Sequence, residues 1–138
     1  MNWLHWALLS ALFAGLTAVL AKVGVKDVNS NLATAIRTTV ILVFAWGVAL
    51  AGSSLRLGAV PRTAWLFLVL SGLATGASWL CYFRALQLGE ASKVAPVDKL
   101  SVVVAMALAV AFLGERLTWQ HCVGGVLIVS GTIVLAYV

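Results

Sequence analysis

Five apolar runs, each close to twenty residues, leave this chain few ways to fold. They cover about 3–21, 32–51, 65–88, 94–113 and 119–138, and roughly 20 residues of α-helix cross the hydrocarbon of a bilayer. No water in that layer satisfies backbone N–H and C=O groups, so each run must be helical. The runs consume nearly all of the 138 residues and leave no room for a soluble domain. Only 9% of residues are charged, where soluble domains carry about 25%. The expected fold is an all-α membrane protein, a five-transmembrane-helix bundle forming one domain over 1–138. The net charge of +5 reads as loops beside anionic lipid, and no nucleic-acid partner is expected. The first run lacks a basic leader and is too long for a signal-peptide core, so it is read as a retained helix. Cys81 and Cys122 fall near opposite faces, on the order of 20 Å apart, too far for a disulfide.

The polar residues inside these runs carry what functional signal there is. In the first run Ala7, Ala11, Ala14, Ala18 and Ala21 form a small-residue stripe suited to helix contact. Ser30 or Asn31 is placed to cap the second run, which holds Arg37 roughly 8 Å inside its start at 1.5 Å per residue. Two readings of Arg37 stand: it snorkels to the headgroups, or it faces the bundle interior beside Thr34, Thr38 and Thr39. The third run, with Thr63 as its expected cap, has the Gly72 and Gly76 close-contact pair. Trp79, Tyr82 and Phe83 then share one face, either lining a pocket or filling core.

Pro96 is expected in the first turn of the fourth helix, where a missing N–H costs least. Asp98 is expected near the positive end of that helix, followed by Lys99. Gly114 suits a left-handed cap. Glu115 and Arg116 lie in the short turn that follows, as headgroup contacts or as a gate. Gly124 and Gly131 lie seven apart on one face of the fifth helix, a packing signature.

Several of these segments recur together in a known family. Tyr82-Phe83-Arg84-Ala85-Leu86, then Gly89-Glu90-Ala91-Ser92-Lys93-Val94-Ala95-Pro96, then Leu113-Gly114-Glu115-Arg116-Leu117-Thr118, then a glycine-rich helix closing on Leu127-Ile128-Val129-Ser130-Gly131, resemble the EamA domain of the drug/metabolite transporter superfamily. The resemblance is dense over roughly the last 60 residues and looser before them. The chain is similar to the short five-helix bacterial and archaeal branch with a single repeat, and no internal duplication is visible. Larger relatives carry two repeats of opposite orientation, and inverted repeats form alternating-access transporters with the site between them. A single repeat therefore implies a homodimer in the cell (plasma) membrane, the inner membrane in bacteria.

Charge does little to fix orientation. The side holding Met1 carries Arg56, Arg62 and Arg116; the opposite side carries Lys22, Lys26, Arg37, Arg84, Lys93 and Lys99. Removing the embedded Arg37 and Lys99 leaves four against three, which is nearly no bias. A unit with so weak a bias can insert both ways, giving an antiparallel homodimer; a parallel dimer of fixed topology competes with it. Arg37, Arg84, Lys93 and Lys99 enter from the same face as Glu90 and Asp98. That arrangement suggests a hydrated, positively charged vestibule for an anionic or zwitterionic metabolite. The expected substrate-binding residues are Arg37, Trp79, Tyr82, Arg84, Asp98 and Lys99. A proton-coupled multidrug exporter is less favoured, because the first run contains no acid. A lipid-linked sugar flippase subunit and a non-transporting membrane scaffold also compete with the metabolite transporter. No catalytic motif, cofactor-binding loop or metal-ligand spacing is present, so no enzyme, cofactor or metal is expected. His5 and His121 have roles enough in the interfacial belt and in packing.

Overall fold

A computed structural model describes residues 2–52 and 60–137. Arg56 of the loop, and Ser53 and Ser54 of the break before it, lie outside the described residues. The helices are α1 (Trp3–Gly24), α2 (Ser30–Ala51), α3 (Arg62–Leu88), α4 (Ala91–Asp98), α5 (Ser101–Leu113) and α6 (Trp119–Tyr137). Five stretches are long and apolar enough to cross a membrane: α1, α2, α3, Ala91–Leu113 and α6. The fold is thus an all-α, five-span membrane protein. Its outward apolar surface fits that solvent, with Phe44, Phe67 and Phe112 at 72%, 68% and 82% exposure. Acyl chains cover such side chains where water would not.

The chain divides into two compact units, residues 23–87 and residues 1–22 with 88–138. In the first, the cap of α2 is Asn29, whose Oδ1 accepts from the N–H groups of Asn31 (2.9 Å) and Leu32 (3.4 Å). The helix therefore starts earlier than the apolar run suggests, and neither Ser30 nor Asn31 caps it. Ser30 is instead buried, and its carbonyl accepts the Thr34 hydroxyl at 2.8 Å. Thr38, Thr39 and Thr75 likewise donate to carbonyls one turn back. In an apolar medium this is the nearest way to satisfy a hydroxyl. α3 begins at Arg62, directly after Pro61, whose carbonyl takes the Trp65 N–H at 3.1 Å. Thr63 falls in its first turn and is not the cap.

The end of α3 is tied to the turn between α1 and α2. Gln87 Nε2 donates to the carbonyls of Val28 (2.6 Å) and Val25 (3.2 Å), while its Oε1 accepts from Arg84 at 3.0 Å. Val25, Phe83 and Leu86 are all buried, at 1%, 3% and 0% exposure. One amide side chain therefore satisfies two carbonyls that the turn cannot pair locally.

In the second unit, α4 and α5 both pack on α6. The apolar pattern places the fourth span as one helix from Val94; it begins at Ala91 and is jointed at Lys99 and Leu100. Pro96 lies near the end of α4, not in the first turn, and Asp98 closes α4, not near a positive end. Glu90 is the extended N-cap residue and Lys93 lies in the first turn, so charge breaks the apolar run where the helix begins. At the joint the N–H groups of Lys99 and Leu100 bond three residues back, to Pro96 and Val97, both at 3.0 Å. The backbone stays right-handed, so this is a 3₁₀ tightening and not a reversal. The Pro96 carbonyl also accepts the Thr132 hydroxyl from α6 at 3.2 Å. At the far end of α5, Gly114 adopts φ 66°, the left-handed cap that favours glycine, and the Glu115 N–H reaches Ala109 at 3.2 Å.

Small residues are covered unevenly. Ala18 and Ala21 of the α1 stripe are buried, while Ala7, Ala11 and Ala14 are exposed. A Cβ on Gly72, Gly76, Gly124 or Gly131 would meet nothing within 4 Å, so among the described residues none of the four marks a close helix contact within the chain. Gly125 is the buried one, with the Met106 methyl 3.9 Å from where its Cβ would stand.

Candidate functional site

Within the 23–87 unit, α2 and α3 bring together residues 40 or more positions apart. The Arg37 guanidinium lies over the Trp79 ring, 4.1 Å from its centroid, and 5.4 Å from that of Phe83. Trp79 and Phe83 are one turn apart on α3, so they present successive rings to a single cation. Arg37 is half-buried, with its guanidinium over an α3 ring. Tyr82 is half-buried and within electrostatic range of the guanidinium. Arg84 is exposed and bonded to Gln87, one turn further along. Arg37, Trp79 and Tyr82 thus form one cluster, and Arg84 belongs to the Gln87 clasp.

The second unit places Asp98 and Lys99 at the α4–α5 joint. Their charged atoms are 3.7 Å apart, and the side chains are 38% and 56% exposed. A shallow groove beside them, about 440 Å³, runs along α4 and α6 and is lined by Pro96, Lys99, Leu127, Ile128, Thr132 and Leu135 among others. A second groove of about 340 Å³ between α5 and α6 is almost wholly apolar, with Met106, Leu117, His121 and Cys122 in its walls. Glu115 and Arg116 stand exposed in the turn between α5 and α6. His121 caps α6: its Nδ1 accepts the Thr118 N–H at 3.1 Å, with the Thr118 hydroxyl at 2.8 Å. Cys81 and Cys122 are free thiols. Among the described residues no three His, Cys, Asp or Glu side chains gather at metal-binding distance.

Two polar residues of structural weight escape the sequence pattern. Gln87 gives no local signal because its partners lie 59 and 62 positions earlier. Lys22, which the sequence marks only as a topology residue, donates to the Gly89 carbonyl at 2.7 Å. A basic residue within reach of a helix end was the available signal, since a cation there meets unsatisfied carbonyls.

Comparison with known proteins bears on what this arrangement serves. The model of the EamA-like transporter family matches residues 1–137. A protein from a Sinorhizobium species described as "Uncharacterized transporter in cobO 3'region" is 56% identical over 136 residues, 98% of this chain and 96% of that one. No solved structure gives a significant match. Five membrane-spanning stretches, the whole-length family match and a transporter-named relative agree: this chain is a multi-pass membrane protein that belongs to the EamA-like transporter family.

Proposed function

We propose that the protein carries a small anionic or zwitterionic metabolite across the cell membrane, as a homodimer of single repeats working by alternating access. The observation that carries this reading is Arg37, a cation inside a membrane span that rests on two aromatic rings and pairs with no carboxylate among the described residues. A charge held at depth is costly, and functional sites are where such costs are met. Arg37, Trp79, Tyr82, Arg84, Asp98 and Lys99 are the proposed substrate-binding residues. Glu115 and Arg116, in the exposed α5–α6 turn, are the proposed gate. The exposed Gly72, Gly76 and Gly131, with the half-buried Gly124, offer close approach to a second copy, antiparallel or parallel.

Flux of radiolabelled metabolite pools into proteoliposomes tests the proposal. Arg37→Gln and Lys99→Gln are expected to lower flux more than they lower the amount of inserted protein. Full flux from both variants would overturn the assignment of these cations to the site. C-terminal reporters active on only one side of the membrane test the antiparallel dimer; activity from both is the expected result, and activity from one alone selects the parallel form.

A further inference from the structure

The Arg37 guanidinium has aromatic neighbours and no paired acid among the described residues. Its Cζ lies over the Trp79 ring, 4.1 Å from the centroid, and 5.4 Å from that of Phe83. Among the described residues no carboxylate pairs with it, and since no buried side-chain nitrogen is left without a partner, its unbonded N–H groups lie at the accessible surface of the span. The neighbouring hydroxyls of Thr34 and Thr38 already donate to helix carbonyls. Arg37 stands seven residues beyond Ser30, the first of α2, roughly 10 Å into the span at 1.5 Å per residue. Within an apolar span an accessible N–H group without a partner favours any acceptor that reaches it. A guanidinium held beside a ring and not yet paired can take two oxygens of one group side by side through its planar fork.

We infer that Arg37 is an oxyanion-recognition residue: its fork takes a carboxylate or phosphate bidentately while the Trp79 ring packs against the guanidinium. The inference rests on the transporter reading above and adds the chemical group that is recognised. Charge alone does not account for the arrangement, because an ammonium would carry the same charge without the fork. Two sources supply such a group, a soluble substrate and a lipid headgroup.

The test uses the purified full chain in an uncharged maltoside detergent, which holds no phosphate. Benzoate, phenyl phosphate and the neutral isostere benzamide are titrated against the thermal midpoint and tryptophan fluorescence. Benzoate and phenyl phosphate are expected to raise the midpoint saturably, and benzamide is not. Arg37→Lys keeps the charge and is expected to weaken both anions about tenfold; Trp79→Leu weakens them less. An equal response to benzamide and benzoate in the native protein overturns the inference without any variant. So does an Arg37→Lys protein that folds and titrates like the native one. If phosphatidylglycerol competes with benzoate, the fork stands and its soluble-substrate role is overturned; no competition supports that role. Arg37-dependent binding without flux of any carboxylate in proteoliposomes overturns the transporter reading and leaves the fork. Carboxylate flux that is insensitive to Arg37→Lys does the reverse.

Discussion

Arg37 and Lys99 are both cations within membrane spans, and the protein treats them in opposite ways. Among the described residues Arg37 has two aromatic rings and no acid, while Lys99 has an acid next door in sequence and no ring. The difference follows from the side chains. A guanidinium is planar and weakly hydrated, so it can lie on an indole and keep its charge away from water. An ammonium is a compact, strongly hydrated point charge, and the half-exposed Lys99–Asp98 pair leaves it access to solvent. One cation is oriented by its surroundings and the other only neutralised. An oriented charge can select a ligand by shape, whereas a neutralised one can do little more than attract.

The comparison breaks first at its foundation. Gln87→Leu removes the donors serving Val25 and Val28 and the acceptor serving Arg84. Leaving such carbonyls unpaired costs about 1–3 kcal/mol each where they are desolvated. It is expected to lower the denaturation midpoint of the detergent-solubilised protein more than any other change named in this paragraph. If it does not, the α3 end is not what anchors the aromatic rings beneath Arg37. A double-mutant cycle of Arg37→Gln with Trp79→Leu sharpens the contrast, with an expected coupling of about 1–2 kcal/mol in a partly desolvated site. Thr132→Val, which loses the bond to the Pro96 carbonyl, is expected to cost about 1 kcal/mol. The same cycle on Asp98→Asn and Lys99→Gln is expected to give under about 0.5 kcal/mol, vanishing in high salt. A larger coupling there than at Arg37 would reverse the comparison.

The two regions are not equally legible in the sequence. The five spans can be read because a bilayer demands long apolar runs, and that demand overrides finer preference. Arg37, Trp79 and Phe83 are each visible as misfits or as a shared face, but their meeting is not, since α2 and α3 are joined by a long connection. The start of α4 is hidden because a helix end at the interface tolerates charges such as Glu90 and Lys93, so hydropathy alone places it late. The joint is hidden because the local run says where Pro96 stands but not what its carbonyl meets, and the Thr132 hydroxyl that shares that carbonyl lies 36 residues away. Side-chain partners of backbone carbonyls are long-range facts, and single-sequence periodicity carries none of them.

The joint at Lys99 and Leu100 has a mechanical corollary. A residue in an α-helix turns the chain by about 100° and advances it about 1.5 Å; in a 3₁₀ turn the figures are about 120° and 2.0 Å. Each residue that passes from one form to the other therefore twists everything beyond it by about 20° and lengthens the rod by about 0.5 Å. With the Thr132 hydroxyl clasping Pro96 at the pivot, the Ser101–Leu113 segment is mounted like the outer half of a screw, whose pitch is set by which amide the Pro96 oxygen accepts.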